Sequence, residues 1–200
     1  MTKKVLLFDI DGVVNKSEYF SLAYCKEYGI EQPLITTFFK NDFIPCLIGE
    51  ADLKEKLAPY LTKWQWPDSL DAFLDYWFAH DVKLDEQLIA FVQDLRAKGY
   101  YCALASQQEH YRKTHLWETK RLKDKFDHFY CSSDIGYLKK DTRFFDALIA
   151  DLEAKSLITS KNDIVFWDDT KRCVATALEC GVEAILFEKN QDIMNYDFKF

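Results

Sequence analysis

Two hundred residues are enough for one domain, or for a core domain with a modest insertion. With 48% hydrophobic and 16% aromatic residues, the chain can build a sizeable core, which excludes wholesale disorder. The net charge of −7 and the lack of any basic block argue against a nucleic-acid partner. A small anionic substrate stays compatible, because a site can be locally positive on an acidic protein.

No apolar run approaches the roughly eighteen residues of a membrane span, so no membrane association is expected. Met1-Thr2-Lys3-Lys4 has the charge of a signal start, but the apolar run behind it is cut at Asp9 and is too short for a signal. The expected location is cytoplasmic. The cysteines (Cys25, Cys46, Cys102, Cys131, Cys173, Cys180) contain no C-x-x-C spacing and read as reduced, buried thiols. The oligomeric state stays open, and a monomer is compatible with the composition.

In chain order, residues 5–8 read as a short buried strand ended by Asp9-Ile10-Asp11-Gly12. Acids at the end of a buried strand cost solvation free energy unless something uses them. A region with helical signals and little strand character follows, over 16–81. Residues 18–28 are predicted helical and stop at Gly29, and 33–39 are apolar and ambiguous. Residues 51–61 carry Leu53, Leu57 and Leu61 at helical spacing. Residues 67–78 open with a proline and run Leu70, Phe73, Leu74, Trp77 and Phe78 along one face. Most aromatic rings here are expected to pack inward, with a few facing a cleft. Lys40-Asn41-Asp42-Phe43 reads as a loop placed to contact a leaving group.

From Asp85 the pattern alternates between helix and strand. Asp85 can cap a helix with Leu88, Phe91, Val92 and Leu95 on one face, ending at Gly99. Then come a strand over 100–106, a helix over 108–122 and a short strand over 129–131. A helix over 141–154 capped by Asp141, a strand over 164–167, a helix over 171–180 and a last strand over 183–187 complete the series. Such alternation predicts an α/β fold, a parallel sheet with helices on both faces.

An open parallel sheet binds ligands outside the carboxyl ends of its strands. Those ends carry Asp9-Ile10-Asp11-Gly12, Ser106-Gln107, Gly136-Tyr137-Leu138-Lys139-Lys140-Asp141 and Trp167-Asp168-Asp169-Thr170. Together they supply carboxylates for a metal, a hydroxyl at a helix start and a lysine, an inventory suited to a phosphoryl group.

These segments resemble the motifs of the haloacid dehalogenase-like hydrolase superfamily, in the same order. FDIDGV is similar to the Asp-x-Asp-Gly nucleophile motif, and Ser106 stands at the family's serine or threonine. GYLKKD resembles Gly-Tyr-x-Lys-Pro-Asp, and FWDDT resembles the acidic metal motif. LASQQEHYRKTHL and AFLDYWF are similar to the branch of sugar-phosphate and related small-metabolite phosphatases. Gln107 and Lys140 depart from the family pattern, where asparagine or glycine and proline are usual. The resemblance implies a Rossmann-like core over 1–15 and 82–200, with an inserted helical cap domain over 16–81.

It further implies a phosphatase that uses Mg2+ and an aspartyl-phosphate to hydrolyse a small phosphorylated metabolite, a sugar phosphate first. Asp9 would be nucleophile and metal ligand. Asp11 would be the proton carrier, with its backbone carbonyl on the metal. Asp169 is the implied direct metal ligand, and Asp168 binds directly or through water. Ser106, Gln107 and the first amides of the next helix would hold phosphate oxygens. Lys139 would neutralise charge on Asp9 and the transferring group. A phosphomutase of the same fold, a dehalogenase and a non-catalytic binding protein are the alternatives. The dehalogenase branch lacks the second acid of the first motif and needs no metal, so Asp11 and the Asp168-Asp169 pair weigh against it.

Overall fold

A computed structural model of the chain describes residues 5–18 and 20–198; Met1 to Lys4, weighed above as a signal start, lie outside the described residues. The order of elements is β1 (Val5–Phe8), α1 (Phe20–Tyr28), α2 (Gln32–Lys40), α3 (Phe43–Leu47), α4 (Leu53–Leu61), α5 (Leu70–His80), α6 (Glu86–Ala97), β2 (Tyr101–Ser106), α7 (His110–Thr114), β3 (His128–Cys131), α8 (Ser132–Ile135), α9 (Thr142–Ala154), β4 (Ile164–Asp168), α10 (Lys171–Glu179), β5 (Glu183–Leu186) and α11 (Gln191–Met194). The strands form one parallel sheet in the order β3-β2-β1-β4-β5. This is the predicted Rossmann-like α/β architecture.

β1 is the central strand and is buried throughout, with Phe8 in register with Leu104 on one side and Trp167 on the other. Its side chains alternate between faces, as strand geometry requires. Leu6 and Phe8 pack with Leu88, Ile89, Val92 and Leu95 of α6. Val5 and Leu7 pack with Phe144, Leu148 and Leu152 of α9 and with Cys173 and Ala177 of α10. Helices therefore cover both faces, which is why the strands read as apolar runs without polar alternation.

α1 to α5 build a third hydrophobic cluster of their own, including Tyr24, Phe38, Leu57, Trp64, Phe73 and Trp77. Trp64 is fully buried there; its Nε1 donates to Leu34 O at 3.3 Å, and its carbonyl accepts from the Tyr24 hydroxyl at 2.8 Å. The two crossings between this helical region and the sheet are tied together. Lys16 N–H donates to Lys83 O and Asp85 N–H donates to Val14 O, both at 2.8 Å.

Several boundaries differ from expectation for local reasons. The ambiguous apolar stretch is helix α2, with Pro33 in its first turn, where a missing N–H costs nothing. The loop expected over Lys40 to Phe43 shrinks to Asn41-Asp42, because Lys40 ends α2 and Phe43 begins α3. Asp52 caps α4 and Ser69 caps α5, each accepting N–H groups of the first turn. Asp85 and Asp141 cap α6 and α9 as predicted. The long helix expected over 108–122 is interrupted. After α7, the Lys120 N–H bonds His115 O five residues back, a π-type turn, and Arg121 then takes a left-handed φ of 60°. The four-residue helices α8 and α11 are too short for apolar periodicity to reveal.

All the cysteines are free thiols, buried except for half-buried Cys25. Among the described residues, no helix is long and apolar enough to cross a membrane.

Candidate active site

The strand order reverses at β1, so the crevice between β1 and β4 is where a parallel sheet of this kind opens for a ligand. Asp9 follows β1 there, and its N–H donates to Trp167 O at 2.9 Å, extending the ladder by one residue. The Asp9 carboxylate is buried. Its Oδ1 accepts the Ile10 N–H at 2.7 Å and lies 2.6 Å from Lys139 Nζ. Lys139 Nζ also donates to Asp168 Oδ2 at 2.7 Å, and both of these side chains are almost wholly removed from solvent. Burial pushes the Asp9 pKa up, against the opposing pull of Lys139.

Asp168 has a partner on each oxygen, because its Oδ1 accepts the Thr170 N–H at 2.7 Å. Asp169 is more exposed and, among the described residues, accepts only from Thr170 Oγ1, at 3.2 Å on its Oδ1. Burial and the neighbouring Asp168 raise the Asp169 pKa. Asp9, Asp168 and Asp169 each bring one carboxylate oxygen within 4.8 Å of the others. Three carboxylates against one ammonium leave a net −2 when all are ionised, which a divalent cation would neutralise. An all-oxygen donor set of this kind suits magnesium. Gly12 is needed at this spot twice over. Its φ is +84°, and a Cβ there would stand 2.0 Å from Asp169 Oδ2.

Asp11 faces a different set of partners. Arg112 forks onto it, NH1 to Oδ2 and NH2 to Oδ1, both at 2.8 Å. Gln108 Nε2 donates to Oδ2 at 2.7 Å and Asn15 Nδ2 to Oδ1 at 2.9 Å. Burial would raise this carboxyl, but the Arg112 charge and these donors take it down to about 2. The carboxylate of Asp11 is thus outside the acid cluster, in keeping with a metal role implied for its backbone carbonyl alone.

Arg112 reaches further. Its side chain is 4% exposed, its NH2 donates to Asp81 O at 3.1 Å, and its Nε lies 3.0 Å from Asp81 Oδ2, close but not aligned for a hydrogen bond. Asn15 Nδ2 and Ser17 Oγ also donate to Asp81 O, each at 2.9 Å. Asp11 is therefore wired to both chain crossings of the helical region.

Ser106 ends β2, buried, with its Oγ accepting from Gln108 Nε2 at 3.1 Å. Gln107 directs its Oε1 to the Lys139 N–H at 3.1 Å, so its side chain positions the lysine loop. One expectation is corrected in part here. Two amides at the start of the helix after Ser106, those of Tyr111 and Arg112, are not left for an anion, because Glu109 caps α7 and its carboxylate takes them. Gln108, Arg112, Asn15 and Asp81 escaped the sequence reading. A lone arginine in HYRKTHL looks like a solvated helix face, and only the fold brings it to Asp11.

Sheet order and acid cluster together define a Rossmann-like α/β protein with a carboxylate site at the switch point. The chain belongs to the haloacid dehalogenase-like hydrolase family, whose sequence profile matches residues 6–187. Its fold is shared by a HAD family enzyme from Bacteroides thetaiotaomicron, at 20% identity and a TM-score of 0.76 over 94% of this chain and 95% of that one. A second structure of that enzyme, in complex with magnesium and inorganic phosphate, aligns at 17% identity and 0.75 over 92% and 94%. A HAD phosphatase from Thermococcus onnurineus aligns at 20% and 0.61 over 94% and 87%. A dehalogenase aligns at 13% and 0.71 over 98% of both chains.

Two measurements test this electrostatic design. Arg112→Ala leaves Asp11 and Asp81 without their cation. It is expected to cost about 2–3 kcal/mol in urea denaturation, at the low side for a broken buried pair because Asp11 keeps some solvent access. Arg112→Lys should recover only part, lacking the fork. Separately, burial raises Glu109 to about 7 from 4.5, although the N–H groups of Arg112 and Tyr111 pull the other way. The folded state then holds this proton more tightly. The stability it contributes is complete below pH 4.5 and is lost as pH rises through about 7. Glu109→Gln should flatten that fall in a pH series of melting temperatures.

Proposed function

We propose that the protein is a magnesium-dependent phosphatase that hydrolyses a small phosphorylated metabolite through an aspartyl-phosphate on Asp9. The observation that carries this reading is the buried Lys139 ammonium shared by Asp9 and Asp168, beside the three-acid cluster. Shared fold with an enzyme crystallised with magnesium and phosphate, and with a HAD phosphatase, supports it. The nearby fold of a dehalogenase does not favour the alternative, because Asp11 and Asp169 have no purpose in a metal-free displacement.

Asp9, Asp169 and the Asp11 carbonyl are the groups that would hold magnesium. Asp168, with both oxygens engaged, orients Lys139 and Thr170 instead. When bound, the ion offsets the repulsion between a phosphate dianion and the attacking carboxylate. The Ile10 N–H and Lys139 hold Asp9 through Oδ1, which fixes the carboxylate plane for attack by Oδ2. Lys139 stabilises charge on the transferring group, and the Ser106 hydroxyl, fixed by Gln108, holds a phosphate oxygen. Asp11 gives a proton to the leaving oxygen and then takes one from the hydrolytic water. In the present geometry it is a carboxylate with two donors on each oxygen, so the acid step requires one of them, Arg112 or Gln108 on Oδ2, to give way to the proton. Residues 16–81 act as a cap that closes over this site and selects substrates, with 1–15 and 82–200 as the core.

A phosphate-release screen over small phosphomonoesters, with and without magnesium, tests the reading. Activity is expected only with the metal. Asp9→Asn should lose at least about a thousandfold while keeping its circular dichroism spectrum. Asp169→Asn should raise the magnesium needed for half-activation by about ten- to a hundredfold, whereas Asp168→Asn should mainly lower kcat. Metal-independent release, or an active Asp9→Asn, would contradict it.

A further inference from the structure

A cavity of about 360 Å³ opens between the strand ends and the helical region, with Asp11, Gln107, Gln108 and Arg112 at its floor. Its wall is aromatic. Phe20, Phe39, Phe43 and Trp77 all line it. Trp77 stacks on Phe20 at 5.3 Å and meets Phe39 edge-on at 5.4 Å, and Phe43 lies 5.7 Å from Trp77 and 5.3 Å from Phe39. These rings thus form one continuous surface: Phe39 and Phe43 are half-buried, while Phe20 and Trp77 belong to the helical core and back them with it.

Polar groups on the helical side of the cavity are sparse. They are Ser21, Thr36, Lys40 and Asp81; the Thr36 hydroxyl already donates to Pro33 O at 3.3 Å, and Asp81 Oδ2 already accepts from Trp77 Nε1 at 3.3 Å and faces Arg112. A hexose entering here would surrender hydration on several hydroxyls and find mostly carbon in return. A single ring can serve as a platform for the C–H face of a sugar, but rings in mutual contact leave the hydroxyl edge facing carbon as well. An aromatic body instead gains both burial and ring-on-ring contact at each wall.

We infer that the substrates are phosphate monoesters whose leaving group carries an aromatic or similarly flat apolar body, with Phe20, Phe39, Phe43 and Trp77 as the residues that set this preference. The phosphate end sits at the strand ends and the ring lies against this wall. This inference rests on the phosphatase reading above and replaces the sugar expected from the sequence.

Benzyl phosphate and glucose 6-phosphate are both primary alkyl esters, so their intrinsic leaving-group reactivities are comparable and their ratio reads the pocket. With magnesium present, kcat/KM for benzyl phosphate is expected to exceed that for glucose 6-phosphate by at least about tenfold, through a lower KM. Phe39→Leu and Phe43→Leu, which keep apolar volume but remove the ring, should each reduce that ratio about 2- to 10-fold. A preference for glucose 6-phosphate, or a ratio unmoved in both folded variants, overturns the inference and leaves the phosphatase reading standing. Calorimetry with the non-hydrolysable benzylphosphonate reads the same pocket without turnover. Binding that Phe43→Leu weakens, with no hydrolysis of any ester, supports the pocket assignment and removes the phosphatase reading. No binding overturns the pocket assignment.

Discussion

A lysine ammonium buried between two buried carboxylates is the contact on which the rest of the site depends. Lys139 Nζ lies 2.6 Å from Asp9 and 2.7 Å from Asp168, and these acids end neighbouring strands. Taking carboxylate charge out of water at the end of an apolar strand is costly unless a cation stands beside it. The lysine comes from the loop between α8 and α9, so three separate stretches of chain must be in place before the charges balance. That balance is incomplete. With Asp169 included, the acids outnumber the ammonium by two charges; burial first, and the neighbouring acid Asp168 after it, raise the pKa values of Asp9 and Asp169. The site is built to welcome further positive charge.

A second cation governs the second acid. Arg112 holds Asp11 by both oxygens and at the same time binds Asp81, where the chain re-enters the sheet region from α5. Asn15 and Ser17, on the outgoing crossing, bond to the same Asp81 carbonyl. A shift of the helical region relative to the sheet would pull on this knot first. Position of the helical region and the orientation of Asp11 are therefore mechanically linked through one guanidinium. The cavity between them, floored by Arg112 and walled by Trp77 and its neighbouring rings, lies where such a movement would be felt by whatever occupies it.

The sheet, its flanking helices and the acid cluster were legible because each rests on local signals. Buried strands read as apolar runs, and Asp85 and Asp141 announce the helices they cap. Parallel topology alone brings Asp9, Ser106, Lys139 and the Asp168-Asp169 pair to one edge. What stayed hidden depends on long-range contacts. Arg112 and Asp11 are 101 residues apart in sequence, and nothing in the periodicity around Arg112 marks it as buried. Glu109 as a cap was missed because glutamate is an uncommon one, and the π-type turn after α7 has no composition of its own. The different surroundings of Asp168 and Asp169 were likewise invisible. They appear only when each oxygen is matched with its donor.

The most direct measurement is a crystal structure of the protein grown with magnesium and beryllium fluoride, a mimic of a carboxylate-bound phosphoryl group. Beryllium bonded to an Asp9 oxygen is the expected result, with Lys139 against the fluorides and magnesium held by Asp9 and Asp169. An ordered fluoride on any other side chain, or a magnesium site that excludes Asp9 and Asp169, would contradict the assignment of Asp9 as the group that receives the phosphoryl.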